Sequence, residues 1–221
     1  MDVVDDFKKL NIQTLPQILI DIQEYLIGYD FKISSLTEDG RTNSVIDERV
    51  IIDILLKSKF KDDIKVPKIR SWCDLLIQNM PVNIKSTTTQ TADNVGNLSL
   101  CVHAYTDYVL DFNKSYNNGT LSKILFSKIQ NKEYNTDANK DYYFIVINKC
   151  NPKNIIVNSI LGLTKPTPNI NNLPFQIKWS DNQECKFTNI NDKIKMFVDC
   201  VKKPNPSWKE TFLNNMRTII I

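Results

Sequence analysis

Residues 74–77 (DLLI) and 82–85 (VNIK) are two short apolar runs separated by only four residues. Two extended segments that close together in the chain fold back on each other as a β-hairpin, with Gln78, Asn79, Met80 and Pro81 as the connection. No Asn-Gly pair specifies the turn type. Side chains alternate along a strand, so Val82 and Ile84 share one face while Asn83 and Lys85 share the other. Asp74 then lies beside Asn83 and Lys85 at one end of a small sheet. This polar cluster on rigid backbone is followed directly by a segment of hydroxyls, amides and glycine, STTTQTADNVGN, at residues 86–97.

A chain of 221 residues that is 42% hydrophobic is large enough for a substantial core and is globular in composition. The longest apolar runs, YYFIVI and TIII, are too short to span a bilayer. The start, MDVVDDFKKL, is acidic and lacks the basic opening and apolar stretch of a signal peptide, so the expected location is the cytoplasm. Five scattered cysteines without a C-x-x-C pair fit buried thiols in a reducing compartment, not disulfides or a zinc site. A net charge of +3 permits nucleic-acid binding, which needs clustered charge to be specific. His103 is the only histidine, which excludes a His-rich metal site and an HNH-type nuclease motif and leaves it a structural role.

Periodicity predicts a helix over TLPQILIDIQEYLIGY, with Thr14 as N-cap, Pro16 just inside and Gly28 near the end. SLTEDGRTNS reads as a loop, and VIDERVIIDILLKSKF as a second helix with Glu48 in its first turns. LSLCVHAYTDYVLDF is expected to be strand-like, NNGTLSKILFSKIQ to hold a turn and a short helix, and DYYFIVINK to be the clearest strand. NIIVNSILGL follows as another strand, then a loop at TKPTPNINNLP. Two helices close the chain, NDKIKMFVDCVKK and PSWKETFLNNMRT, the second capped by Ser207. Trp72, Trp179 and Trp208 are assigned to packing. With no repeat and no Pro- or Gly-rich linker, the expectation is a single α/β domain over residues 1–221, a central mixed β-sheet flanked by helices.

A helix bearing Glu48, a strand bearing Asp74 and a strand bearing Lys85 follow the order of the PD-(D/E)xK nuclease superfamily. The stretch WCDLLIQNMPVNIKST resembles the catalytic hairpin of type II restriction endonucleases, here at about residues 70–90. The resemblance is sharp only between Glu48 and Asn97. It implies a restriction-endonuclease-like fold and a homodimer that cuts both strands of a short palindromic double-stranded DNA site. Asp74 would be the main ligand of Mg2+, with Mn2+ as substitute, joined by the Ile84 carbonyl and Glu48. Lys85 would touch the attacking water and a non-bridging phosphate oxygen. The chain departs from the pattern at Asn83, where Asp or Glu is expected and an amide offers only a neutral oxygen. Glu48 or Asp93 could restore that charge; otherwise the chain is a DNA-binding protein with the nuclease fold and little or no catalysis.

The same resemblance implies phosphate contacts from Ser86 and Thr87, and base-edge contacts from Thr88, Thr89, Gln90, Asn94 and Asn97. Lys165, Asn169, Asn171 and Asn172 in the second polar loop would also hold DNA. Each feature has a plainer reading. Asp74 and Lys85 can form a cross-strand ion pair, Glu48 can be a solvated helix carboxylate, and both polar segments can be ordinary loops.

Overall fold

The alternation in residues 80–87 organises the centre of the molecule. In the computed structural model, which describes residues 14–30, 40–68, 71–112, 114–137, 139–169 and 174–201 (backbone alone for 40–45), β3 (Met80–Thr87) lies in the middle of a five-stranded sheet. The order is β1 (Ile64–Lys65), β2 (Leu75–Ile77), β3, β5 (Tyr143–Asn148) and β6 (Ile155–Ser159). β3 and β5 run parallel, with Val82 opposite Tyr143 and Lys85 opposite Val146, while every other neighbouring pair is antiparallel.

Period-two alternation divides the core between the two faces. Val82, Ile84, Tyr143, Ile145 and Ile147 pack with Leu19, Ile22 and Leu26 of α1 (Gln17–Gly28) and Ile51, Ile54 and Leu55 of α2 (Gly40–Leu56). Phe144 and Val146 turn the other way, onto α3 (Leu98–Tyr105), α4 (Asn118–Gln130) and α5 (Ile190–Val201). Every residue of β5 is buried, as a strand covered on both faces requires. The architecture is therefore α/β, with a mixed central sheet flanked by helices.

The hairpin is tighter than four linking residues. Gln78 and Asn79 alone make the turn, with φ of 49° and 66°, and Ile77 sits opposite Met80. Two successive left-handed residues match the twist of the flanking strands; Asn79 adopts this conformation readily, whereas Gln78 takes it at a cost. Met80 and Pro81 belong to β3.

Several elements depart from the sequence expectations. Pro16 is the N-cap of α1, in place of Thr14. α2 begins at Gly40, so residues 40–44 are helical and Glu48 sits mid-helix. Residues 98–105, expected as strand, form α3 because the Asn97 side chain accepts from Leu100 N (3.1 Å) and caps a helix. β4 (Ala92–Gly96) and β7 (Thr167–Pro168) fall in segments read as loops, and β8 (Phe175–Lys178) in a stretch given no element; together they form a second sheet, β4–β8–β7. Tertiary packing overrides their weak local signal, since Val95, Phe175 and Ile177 all enter the core.

Trp179 is fully buried against Phe144, and Trp72 stacks on Phe112 and Tyr142, so both pack as expected. His103 is buried, and desolvation pushes its imidazole down to about 4, leaving it neutral. Cys73, Cys101 and Cys200 are buried, but Cys150 is exposed, against the expectation for all five. Among the described residues no helix is long and apolar enough to cross a membrane. The closing helix expected after Pro206, with Ser207 and Trp208, lies outside the described residues.

Gly96 fixes how the second sheet meets the core: a Cβ there would lie 2.7 Å from Phe175 Cγ, inside the ring's van der Waals envelope. Gly96→Ala should therefore cost about 1–3 kcal/mol, the range for overpacking a filled site. A urea titration checks this, and an unchanged midpoint would contradict the packing described.

Candidate active site

Pairing between β2 and β3 stops at Leu75 and Val82, which leaves the rest of β3 with an open edge. Asp74 closes part of it. Its N–H donates to Val82 O (3.0 Å), and its Oδ2 accepts from Ile84 N (2.9 Å). The carboxylate thus occupies the place of a further strand neighbour, held by backbone at both ends. Backbone groups two residues apart on a strand point the same way, so the Ile84 carbonyl opens to this edge along with Val82 O and Ile84 N. Asn83 and Lys85 project from the face turned away from α1 and α2, both half-buried.

Glu48 comes from the layer beneath. α2 is tied to the sheet by Asp47, whose Oδ2 accepts from Ser86 Oγ (3.0 Å) and pairs with Lys149 Nζ (3.5 Å). The next residue, Glu48, reaches the same electrostatic field as the hairpin groups. Burial pushes its carboxyl up to about 7; Lys85 pulls it down, Asp74 and Asp93 push it up, and Lys149 pulls it down. Asp74 is also raised by burial, against the opposing pull of the Ile84 amide and Lys85. Glu48, Asp74 and Lys85 thus lie near enough to act on one another's charge through space. Asp93 joins them from β4, held by Trp179 Nε1, which donates to its Oδ2 (2.9 Å).

Asn83, beside them, has a buried Oδ1 with no hydrogen-bond partner. Tyr142 lies within reach but gives its one hydroxyl proton to Trp72 O (3.0 Å), so it cannot satisfy that oxygen. Two half-buried carboxylates and an orphaned amide oxygen are hard donors whose unfavourable environment a cation would relieve. Among the described residues no group of three or more His, Cys, Asp or Glu is gathered closely enough to hold a metal. Magnesium keeps several of its waters and takes one or two carboxylates, so the donor set present still fits it.

The candidate DNA contacts divide sharply. Ser86 is buried and bonded to Asp47, and Thr89 is buried at φ 65° with its carbonyl accepting Ser180 N. Asn169 is buried and donates to Asn94 Oδ1, and Asn97 spends its side-chain oxygen on the α3 cap. These four face inward or are committed, contrary to the sequence reading of them as groups presented to DNA. Thr87 and Thr88 are half-buried, the latter's hydroxyl 3.3 Å from that of Thr91, while Gln90, Asn94 and Lys165 are exposed. Asn171 and Asn172 lie outside the described residues.

Sequence reasoning missed Asp47, Lys149 and Trp179 as partners of the site. Asp47 did carry a signal: it stands four and seven residues before Ile51 and Ile54, so a carboxylate interrupts the apolar stripe of α2. Lys149 and Trp179 carried none.

No known protein family matches this chain, and no curated protein or solved structure matches it.

Because burial raises the Glu48 carboxyl, its contribution to stability is complete below the ordinary carboxylate pKa and is lost as pH rises through about 7. Glu48→Gln cannot ionise. In metal-free protein its melting temperature should pull ahead of the parent's between about pH 5 and about pH 8. A constant difference across that range, measured in chelator, would mean Glu48 is not buried among like charges.

Proposed function

We propose that this protein is a magnesium-dependent, sequence-specific double-strand DNA endonuclease of the restriction type, acting as a homodimer. One observation carries the reading: Asp74 is fixed by backbone at an open sheet edge next to Asn83 and Lys85, and the Glu48 carboxyl lies in the same field.

Asp74 has one oxygen bound by the Ile84 amide, and its other oxygen would be the one to hold the cation. Glu48, Asn83 Oδ1 and the Ile84 carbonyl are the remaining oxygens that would hold it. When bound, magnesium supplies positive charge against the phosphate oxygens and makes water more acidic. The Lys85 ammonium orients the attacking water and stabilises negative charge growing on a non-bridging oxygen. Burial of the carboxylates keeps the local dielectric low, which strengthens each of these interactions. Gln90, and Asn94 through the amide group not taken by Asn169, are exposed to meet base edges, and Lys165, with the half-buried Thr87 and Thr88, to meet phosphates. A two-fold dimer sets one such site on each strand of a palindrome.

Asn83 favours a second reading, a DNA-binding protein that keeps the site but cleaves little, because a neutral oxygen replaces a carboxylate. Plasmid DNA with the protein and Mg2+, or Mn2+, separates the two. Endonuclease action gives discrete bands, and Asp74→Ala or Lys85→Ala should slow it by ~100-fold or more. If no substrate is cut but DNA is bound with steep salt dependence, the second reading holds. Asn83→Asp should in either case tighten Mg2+ binding measured by calorimetry; weaker or equal binding would remove residue 83 from the site.

A further inference from the structure

Asp47, Ser86 and Lys149 form a polar network in the core that the proposed chemistry does not use. Lys149 and Asp47 side chains are 6% and 4% exposed. A buried ion pair is a weak source of stability, because desolving both charges costs about as much as their attraction returns. The value of such a pair lies in direction. One oxygen, Asp47 Oδ2, takes both Ser86 Oγ from β3 and Lys149 Nζ from the residue after β5. The Lys149 backbone is itself fixed, since its N–H donates to Thr87 O (2.8 Å) and continues the β3–β5 ladder by one step. A single carboxylate oxygen therefore locks α2 to two adjacent parallel strands.

We propose that Asp47, Ser86 and Lys149 are positioning residues that set the rotation of α2 and so aim Glu48 at the cation, an inference that rests on the endonuclease reading above. Glu48 is the next residue after Asp47, and successive helical residues are turned by about 100°. Fixing the azimuth of Asp47 fixes that of Glu48. Ile51, Ile54 and Leu55 bury α2 against the sheet, but apolar contact is non-directional and tolerates rotation that a charged hydrogen bond does not. Lys149 also acts on Glu48 through space, so the network reaches it by charge as well as by geometry.

Calorimetric titration of the full chain with Mg2+ alone, run beside plasmid cleavage at varied Mg2+, tests this. Asp47→Asn combined with Lys149→Met removes both charges and nearly conserves volume. It should raise the Mg2+ dissociation constant by about 10–100-fold, the usual effect of losing a residue that supports a metal ligand. The Mg2+ needed for half-maximal cleavage should rise in parallel, with the rate at saturating Mg2+ little changed. Lys149→Arg alone keeps the charge opposite Asp47 and should hold affinity within about threefold of the parent's. A folded double variant with parental Mg2+ affinity overturns the inference and leaves the endonuclease reading standing. A parent protein that neither binds Mg2+ nor cuts DNA overturns both. Should the double variant fail to fold, Ser86→Ala, which deletes one hydrogen bond, carries the same comparison: a weakened Mg2+ affinity supports the inference and an unchanged one overturns it.

Discussion

The parallel pairing of β3 with β5 is the constraint from which the rest of the structure follows. Parallel neighbours cannot be joined by a tight turn, so the chain must leave the end of β3 and travel back before β5 begins. The excursion holds β4, α3 and α4, which cover the sheet face opposite α1 and α2. It departs from the end of β3 that carries Lys85. That is why the polar segment after the hairpin, and Asp93 within it, stays beside the charged cluster.

How much of this could be read from residues alone depended on the range of the interaction. β5 was legible because YFIVIN is apolar on both faces and β-branched, a signal contained within six residues. The Asp74–Lys85 neighbourhood was legible because hairpin geometry is local. β4 was not, since ADNVG holds a single large apolar side chain and becomes a strand only through β8, some eighty residues away. α3 was misread because LSLCVHAY is apolar almost throughout, and the deciding feature was the Asn97 cap. In the polar segment composition identified hydroxyls and amides but not direction, and Ser86 and Thr89 turned inward.

The charged cluster holds groups in surroundings that cost stability. Glu48 and Asp74 are both held where ionisation is unfavourable, and Asn83 leaves an acceptor unsatisfied beside them. Neighbouring groups limit the damage: a backbone amide for Asp74, an indole N–H for Asp93, and the two lysines for Glu48. Such partial compensation is the pattern of a site kept ready for a ligand, whereas a purely structural ion pair would be satisfied internally.

The turn following β5 has a practical use. Cys150 lies exposed there, next in sequence to Lys149, whereas burial raises the Cys73 thiol to about 11 and the Cys185 thiol to about 12. Buried, high-pKa thiols react slowly with electrophiles. Among the described residues, a maleimide dye would therefore attach at one position, giving a fluorescent reporter one peptide bond away from the lysine that braces α2.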